Sequence, residues 1–498
     1  MKYLKNNKNI LKLIIICLLL FLLIAIDLPY LSAGPSSSDD YQYWKLATHL
    51  SKEGTYGFID PLKNKNDDFA YPLNDSGIRR GEVGYTLIIF AVIEATTSNE
   101  EISSIQADCI ENLNSGGCSI LGGSTVAFNL IILLVKLLTA LMLVFLFPDN
   151  LNKTYLIICL ILYILFAPYY HRDFIVFEFL LIFLLTFTNL KFLGKNYPVR
   201  YLTMAFVPLF NSVFLYVMLI FLFFEVLIIF KNKKIKFINI LLILFLVGPS
   251  TIWSLRNMYQ EDSFVITARG NETVGIRAEF VFLNNNEYKE GFVFFTPDNF
   301  LFTPVKNLIY QSLNVVSPPP DVFDRSNSQS KYRKGHSKNG EVFSQMQKNL
   351  NIFNNDFNSI VNQIGYERSV DEYKNAAYQI INQNKINYIK TISLFSYRGL
   401  FPEYNFKVNS FFKKNNLENA FNIFDLLRIF PVLYIFKSLY INRKLLILNP
   451  ITYMFLFLFL SYALFTHFIP RYSVIFIPFT IFYFIFNNED YEFKNTVY

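Results

Sequence analysis

Long apolar stretches, separated by short polar and basic segments, run along most of the chain. The first stretch covers residues 10–28 and follows Lys2, Lys5 and Lys8. A bilayer core requires a helix of about 20 apolar residues, so this stretch is long enough to cross a membrane. Basic residues stay preferentially on the cytoplasmic side, so we expect the stretch to leave the cytoplasm and the residues after it to face outward.

Further apolar stretches predict seven more single crossings and one hairpin. The single crossings are expected at residues 124–147, 154–168, 174–190, 237–255, 421–440, 446–468 and 473–486. The stretch 201–230 is too long for one helix and contains Pro208, Asn211 and Ser212, so we expect two short crossings that meet there. The stretch 83–93 is too short to span, and we expect it to lie on the outer surface. The sum is about ten crossings, with both termini in the cytoplasm.

The basic segments support this topology. Lys and Arg residues at 191–200, 231–236 and 443–444 all fall on the cytoplasmic side if 83–93 stays at the surface and 201–230 forms a hairpin. The topology divides the chain into three parts. They are an N-terminal transmembrane module, 1–255, with its first outer loop at 32–123, an extracytoplasmic region, 256–420, and C-terminal transmembrane helices, 421–498.

The extracytoplasmic region is the only large polar part of the sequence. Residues 341–396 carry apolar side chains at helical spacing, so we expect a mostly helical region. The proline-rich segment 317–321 and the polar segment 325–340 are typical of a flexible loop. Within the first outer loop, Cys109 and Cys118 either form a disulfide in an oxidising compartment or stay as free thiols, and both alternatives are open.

Composition agrees with an integral membrane protein, and the location we expect for this multi-pass chain is the plasma (inner) membrane. Of the 498 residues, 53% are hydrophobic and 18% aromatic, and the mean hydropathy is +0.32. These values are typical of an integral membrane protein. The net charge of +7 could suggest nucleic-acid binding, but the basic residues cluster between apolar stretches, where they set topology, so no nucleic-acid partner is expected.

Two charged residues lie inside predicted crossings. Charges in a membrane are expensive and are usually functional or paired, and this applies to Lys136 and Glu225. A mutual ion pair between them is one alternative. No Walker loop, dinucleotide fingerprint or zinc-type spacing of Cys and His is present, so we expect no dedicated metal site.

Candidate chemistry is concentrated after the first crossing. Asp39 and Asp40 are adjacent carboxylates, and Tyr43 follows four residues after the first. Some forty residues further on, Arg79 and Arg80 precede a Gly-Tyr pair. A carboxylate can take a proton from an acceptor, and arginine can hold phosphate oxygens. The alternative for the acidic pair is a helix cap or a solvated loop acid, and for each arginine it is an interfacial anchor.

This spacing resembles the first outer loop of the GT-C superfamily of membrane glycosyltransferases. It is closest to the branch of glycosyltransferase family 39 type that includes the protein O-mannosyltransferases and lipid A aminoarabinose transferase. In that branch an acidic pair, with a Tyr four residues after the first acid, precedes a basic residue and a Gly-Tyr or Pro-Gly-Tyr helix start. Here Gly84 and Tyr85 form that start without the usual proline.

Later segments resemble the family in the same order. The segment 167–178 looks like the second outer loop, where either Asp173 or Glu178 is the second acid. Pro249 and the segment 253–257 are similar to the family's Pro-Trp-x-x-Arg-Asn exit from the membrane. Arg471 with the following Tyr resembles its late Arg-Tyr pair.

The resemblance implies a GT-C-like, all-α polytopic membrane protein that inverts the sugar's configuration while moving it from a polyprenyl-phosphate carrier. The acceptor is a glycan, lipid or protein on the outer face, and membrane lipids surround the protein. Asp39 and Asp40 are the expected catalytic residues, and Arg80, Arg256 and Arg471 the donor phosphate-binding residues. The further expected substrate-binding positions are Asp173, Glu178, Tyr43, Arg79 and Tyr85. No cofactor is implied, and a divalent cation stays open.

Two alternatives compete with this interpretation. A lipid or polysaccharide transporter or a membrane scaffold is the non-catalytic one, and a transporter usually has broken helices in matching halves. The chain has one broken stretch, at 201–230. An envelope polysaccharide polymerase or ligase is the other enzyme, and it is expected to use loop Arg and His more than an Asp after the first helix. Tyr43 and Trp44 also have two interpretations, as aromatic-belt residues or as a sugar-stacking surface.

Overall fold

The computed structural model describes a helical protein. The described residues are 2–34, 38–54, 56, 58–59, 74–75, 83–105, 119–146, 153–168, 171–187, 197–231, 237–261, 264, 266, 271–297, 302–315, 320–323, 330–334, 340–353, 357–403, 405–415, 425–441, 450–466 and 470–486. Cys109, Cys118, Arg79 and Arg80 lie outside them.

The helices follow the apolar pattern of the sequence. In the first half they are α1 (Lys2–Asp27), α2 (Ser38–Glu53), α3 (Val83–Thr96), α4 (Asn99–Ser104), α5 (Ser119–Leu146), α6 (Lys153–Phe166), α7 (His171–Leu185), α8 (Tyr197–Phe210), α9 (Phe214–Lys231) and α10 (Phe237–Glu261). Strands β1 (Phe58–Ile59) and β2 (Asn74–Asp75) form a short antiparallel pair between α2 and α3.

The second half begins with short helices and ends with apolar ones. These are α11 (Asn271–Glu279), α12 (Asn285–Phe295), α13 (Thr303–Leu313), α14 (Pro320–Phe323), α15 (Lys331–Lys334), α16 (Glu341–Leu350), α17 (Phe357–Ile364), α18 (Tyr366–Gln383), α19 (Lys385–Arg398), α20 (Phe406–Lys414), α21 (Phe430–Ile441), α22 (Pro450–Phe465), α23 (Pro470–Ser473) and α24 (Phe476–Phe486). Helices α16 to α19 confirm the predicted helical character of residues 341–396.

Helix length separates two groups of apolar helices. Within the described residues, three helices are long and apolar enough to cross a membrane, at Leu13–Tyr30, Leu121–Val144 and Phe237–Tyr259. The other predicted crossings coincide with helices of 11 to 18 residues. At about 1.5 Å per residue the shortest of these is about 16 Å long, against a hydrocarbon core of about 30 Å. Length therefore supports three crossings directly, and the other seven need further support.

The predicted break in the stretch 201–230 is confirmed. Helix α8 ends at Phe210, and α9 begins at Phe214. Between them, Oδ1 of Asn211 accepts a hydrogen bond from the backbone N–H of Val213 at 3.2 Å. A side chain that binds nearby backbone competes with the helical pattern, and this explains why the helix stops here.

Helix α3 contacts α5 near both of its ends. At its C-terminal end, Oγ1 of Thr96 lies 2.8 Å from Oγ of Ser124, and at its N-terminal end the ring of Tyr85 lies 5.8 Å from that of Phe128.

The core combines the two halves of the chain. Every residue of α24 is buried, and this helix packs against α6, α7 and α21. A second hydrophobic cluster joins α11, α16 and α18 around Phe343, Met346 and Ala376. Arg277 connects the two regions, because its guanidinium donates to the carbonyls of Ala463 (3.1 Å) and Leu464 (3.3 Å) at the end of α22.

Candidate functional site

The first two motifs of the sequence lie side by side. Asp39 and Asp40 belong to the first turn of α2, and their side chains lie outside the described residues. Tyr43 follows one turn later, and its ring is 5.1 Å from that of Tyr85 in a T-shaped arrangement. Because Tyr85 belongs to the first turn of α3, the beginning of α2 lies next to the beginning of α3.

The aromatic residues of this contact are buried. Tyr43, Trp44 and Tyr85 are each at most 1% exposed. The ring of Trp44 lies 5.8 Å from that of Phe128, so α2, α3 and α5 meet in one aromatic cluster. Edge-to-face pairs at such distances stabilise packing. The rings of Tyr43, Trp44 and Tyr85 thus join helices. The interpretations of Tyr43 and Trp44 as aromatic-belt residues or as a sugar-stacking surface, and of Tyr43 and Tyr85 as substrate-binding residues, stay predictions.

Other predicted basic residues cannot be placed by their side chains. Arg79 and Arg80 lie outside the described residues. Arg471 belongs to α23, but its side chain is outside them as well. The predicted roles of these three arginines stay predictions.

Arg256 contacts the segment that follows α2. Its guanidinium donates to the carbonyl oxygen of Tyr56 at 3.2 Å and lies over the rings of Tyr56 and Trp253 at 5.4 and 5.0 Å. Tyr56 follows the last turn of α2, whereas Asp39 belongs to the first. From Asp39 to Glu53 the helix is about 21 Å long. Arg256 thus attaches the segment after α2 to α10, and its predicted role at the donor phosphate stays a prediction.

The two candidates for the second acid are both on α7 and both buried. Asp173 is in its first turn and 7% exposed. Glu178 is 4% exposed and accepts hydrogen bonds from Oγ1 of Thr139 at 2.6 Å and from the hydroxyl of Tyr163 at 2.5 Å. These donors come from α5 and α6, so Glu178 is fixed between three helices.

A buried ion triad, which the sequence analysis missed, lies beside Glu178. Asp27, at the end of α1, contacts Nζ of Lys136 on α5 at 2.8 Å and Nζ of Lys407 on α20 at 2.7 Å. All three side chains are nearly inaccessible, with exposures of 3% for Asp27, 2% for Lys136 and 6% for Lys407. Tyr163 joins the triad to Glu178, because its hydroxyl also lies 3.4 Å from the carbonyl of Lys136. We call Asp27, Lys136 and Lys407 the ion triad.

The charges of this region balance closely. Two lysines face one aspartate within the triad, and Lys136 also interacts electrostatically with Glu178.

A signal for the triad was present in the sequence, since Asp27 is the first acidic residue of the chain and ends an apolar stretch. Nothing local pointed to Lys407.

The proposed pair between Lys136 and Glu225 does not form. Lys136 binds Asp27, and Glu225 accepts from the hydroxyl of Tyr201 at 2.8 Å and lies 3.7 Å from the guanidinium of Arg200. Arg200 also donates to the carbonyl of Thr186, just after the end of α7. Both charges are thus paired, but with partners other than each other.

No group of three carboxylate, imidazole or thiol side chains suited to a metal ion occurs among the residues that the structure describes. No family model matches the chain, and searches of curated proteins and of solved structures give no significant match. A functional assignment therefore depends on the sequence motifs and on the contacts between the helices that contain them.

Proposed function

We propose that the chain is a membrane glycosyltransferase of the GT-C type, which moves a sugar from a polyprenyl-phosphate carrier to a glycan, lipid or protein acceptor outside the cytoplasm. The observation that supports this most is the contact of Tyr43 with Tyr85. It brings the second turn of α2 next to the first turn of α3, and the two turns belong to motifs some forty residues apart in sequence. One of these motifs contains the acidic pair, and the other contains Arg79 and Arg80.

The chemistry requires a base and a phosphate-binding cation. In the proposed reaction Asp39 takes the proton from the acceptor hydroxyl as the new glycosidic bond forms. The bond from the sugar to the carrier phosphate breaks, and Arg80 and Arg471 stabilise the charge on the departing phosphate. A phosphate leaving group needs no strong acid, so one carboxylate suffices for a single inverting displacement. Asp40 assists Asp39, and residues 256–420 hold the acceptor.

The proposed topology is a multi-pass protein of about ten crossings, with cytoplasmic termini and an outward site. It is supported by the coincidence of a helix with each predicted crossing and by the position of the basic segments.

Mass spectrometry of cell-envelope glycans, with and without the gene, tests the function in cells. A missing sugar identifies donor and acceptor together. Purified protein in nanodiscs then tests the site: Asp39→Asn is expected to lower the transfer rate by about 10²–10⁴-fold, the range for a general base. Glu53→Gln is the matched control, because Glu53 is an exposed carboxylate in the last turn of the same helix.

Retention of near wild-type transfer by Asp39→Asn contradicts the role of Asp39, and an unchanged glycan profile without the gene contradicts the function. Equal losses in Asp39→Asn and Glu53→Gln would indicate a general effect on α2 rather than loss of a base.

The ion triad specifically favours one alternative, a lipid or polysaccharide transporter. Buried charges between apolar helices often mark a transport path. Liposomes that contain the purified protein and a fluorescent polyprenyl phosphate distinguish the two functions. Movement of the lipid between leaflets without any transfer of sugar supports the transporter, and transfer without such movement supports the enzyme.

A further inference from the structure

The segment that joins α1 to α2 is held by one side chain of α5. We call residues 28–34, which follow the end of α1, the α1–α2 turn. Asn129 is 6% exposed, and its Nδ2 donates to the carbonyl oxygen of Ala33 at 2.8 Å and to that of Leu31 at 3.0 Å. The carbonyl oxygen of Tyr30 lies 3.4 Å from the same nitrogen. A single amide thus contacts three successive parts of the turn.

The surroundings of Asn129 make a polar side chain expensive at this position. Asn129 belongs to Leu121–Val144, one of the three segments that are long and apolar enough to cross a membrane. An amide buried among apolar helices costs free energy unless its hydrogens are bonded. The NH2 group of asparagine has two hydrogens, and both can be donated to the carbonyl oxygens around Nδ2. These bonds therefore fix the path of the α1–α2 turn, which an apolar side chain of similar size would not do.

The neighbouring residue of α5 contacts α2 on the other side of the acidic pair. The ring of Phe128 lies 5.8 Å from that of Trp44. Asp40 precedes Trp44 by four residues, which is about 6 Å along a helix. Asp39 follows Ala33 by six residues, which span at most about 20 Å of chain. The acidic pair is thus attached on both sides to adjacent positions of α5.

A second contact on the α1–α2 turn comes from α20. Nζ of Lys407, which binds Asp27, also lies 5.3 Å from the centroid of the Tyr30 ring. A cation at this distance from an aromatic ring is attracted to it. The turn is therefore held by two helices that are distant in sequence, and it gives α2 a fixed starting point.

We propose that Asn129 is a positioning residue for the acidic pair, because its hold on the α1–α2 turn sets where Asp39 lies when the acceptor gives up its proton. The proposal deepens the proposed function and rests on it for the role of Asp39. Asn129 acts through the chain and not by contact with a substrate. A reacting group that is misplaced by about 1 Å can lose about 10²-fold in rate. Loss of the Asn129 amide should therefore lower kcat and leave donor binding intact.

Sugar transfer by the purified protein in nanodiscs tests the proposal with variants of similar volume. Asn129→Leu removes the two donors and is expected to lower kcat by about 10²-fold with KM unchanged. Thr125→Val is the control, because Oγ1 of Thr125 donates to the carbonyl of Gly122 within α5, at 2.8 Å, and its loss should leave kcat unchanged. Asn129→Gln keeps the amide on a longer side chain, so it should recover part of the loss, and it replaces Asn129→Leu if that variant does not fold.

Combination with Asp39→Asn separates positioning from a general loss of structure. If Asn129 acts through Asp39, the base contributes less once it is displaced. Asp39→Asn should therefore cost about tenfold less in the Asn129→Leu background than in the wild type. Independent losses that multiply in the double variant would overturn the proposal, because a merely structural role of Asn129 gives that result.

Amide hydrogen exchange of residues 28–44 provides a test that requires no sugar transfer. Asn129→Leu should exchange faster than the wild type in this segment, and Thr125→Val should not. Unchanged exchange in folded Asn129→Leu overturns the proposal. Faster exchange, combined with no sugar transfer by the wild type, rejects the proposed function alone and leaves the hold of Asn129 on the α1–α2 turn established.

Discussion

An arginine near a membrane surface can bind a phosphate or fasten two segments together, and its contacts distinguish these roles. The guanidinium of Arg256 donates hydrogen bonds to the carbonyl of Tyr56 at 3.2 Å and to the side-chain oxygen of Asn257 at 3.0 Å. Its sequence context, next to a tryptophan at the end of an apolar helix, was compatible with either role. Its partner Tyr56, 200 positions away in sequence, shows that Arg256 joins two segments of the chain.

We therefore expect Arg80 and Arg256 to behave differently. Arg80→Ala should weaken donor-lipid affinity about tenfold or more, the effect of losing one charge-assisted hydrogen bond, and Arg80→Lys should recover part of it. Arg256→Ala should leave donor affinity unchanged and lower the melting temperature, because α2 loses its attachment to α10. Titration of donor lipid in nanodiscs, together with thermal unfolding, measures both effects. A loss of donor affinity in Arg256→Ala that matches that of Arg80→Ala would restore Arg256 to the phosphate site.

Glu279 is a buried carboxylate with a structural role. It is 0% exposed, and its Oε1 accepts from the backbone N–H of Val342 at 2.9 Å, in the first turn of α16. Removal from water raises the pKa of the Glu279 carboxyl above its ordinary value of 4.5. The native state therefore holds the proton at pH values where the unfolded chain has lost it.

The raised pKa of Glu279 gives a pH prediction for the variant Glu279→Gln. This variant keeps an acceptor oxygen but does not titrate. The free energy of unfolding of the wild type, relative to this variant, should decrease as the pH rises from 4.5 through the raised pKa. Glu279→Ala should be less stable than Glu279→Gln at every pH, since the buried N–H of Val342 loses its acceptor. Thermal unfolding across this range is the measurement. If the free energy of unfolding of the wild type increases with pH relative to that of Glu279→Gln, the raised pKa of Glu279 is contradicted.

At the scale of elements, sequence pattern predicted which segments form helices better than how those helices meet. The break at Asn211 followed from local chemistry, because its side chain binds backbone two residues on. Helix α3 followed from an apolar stretch too short to span. The partners of Lys136 did not follow, since Asp27 is 109 residues away and Lys407 reaches Asp27 over 380 residues. Periodicity assigns a residue to a helix face, but packing of distant helices selects its partner.

Substitution of Gly84 tests how closely α3 packs against α8. A Cβ at this position would lie 3.0 and 3.1 Å from the backbone of Leu209, which cannot move as a flexible side chain does. Gly84→Ala should therefore destabilise the protein by about 1–3 kcal/mol, the usual effect of overpacking. Gly122→Ala is the control, because a Cβ there meets nothing within 4 Å and α5 should gain up to about 1 kcal/mol. Thermal unfolding of both variants measures the contrast, and equal stability of the two would mean that α3 and α8 are less tightly packed.

At the scale of the whole molecule, the ion triad connects parts of the chain that sequence assigns to different regions. Asp27 ends the first predicted crossing, Lys136 lies in the second, and Lys407 belongs to the segment 256–420. Asn405 strengthens this connection, because its backbone N–H donates to the carbonyl of Leu165 near the end of α6 at 3.0 Å. The segment that is proposed to hold the acceptor is thus tied to the helices beside the proposed site.

The three members of the ion triad should contribute unequally to stability, because Asp27 is the shared partner of both lysines. Stability measurements on single variants test this. Asp27→Asn leaves two buried ammonium groups without their shared carboxylate, and loss of such a partner is expected to destabilise by about 3–5 kcal/mol. Lys136→Met and Lys407→Met each leave one complete pair with Asp27, at 2.7 or 2.8 Å, so each should be clearly milder.

The double variant with Asp27→Asn and Lys136→Met provides a stricter test of the triad. It removes one of the two uncompensated ammonium groups, so it should be more stable than Asp27→Asn alone, although it contains an additional substitution. Thermal unfolding of all four variants in the same detergent provides the ranking. If the double variant is the least stable, the substitutions act independently, and Asp27 is then not the shared partner of the two lysines. If the predicted order holds, electrostatic balance at Asp27 couples the segment around Lys407 to the apolar helices. Substitutions in either part should then alter the stability of the other.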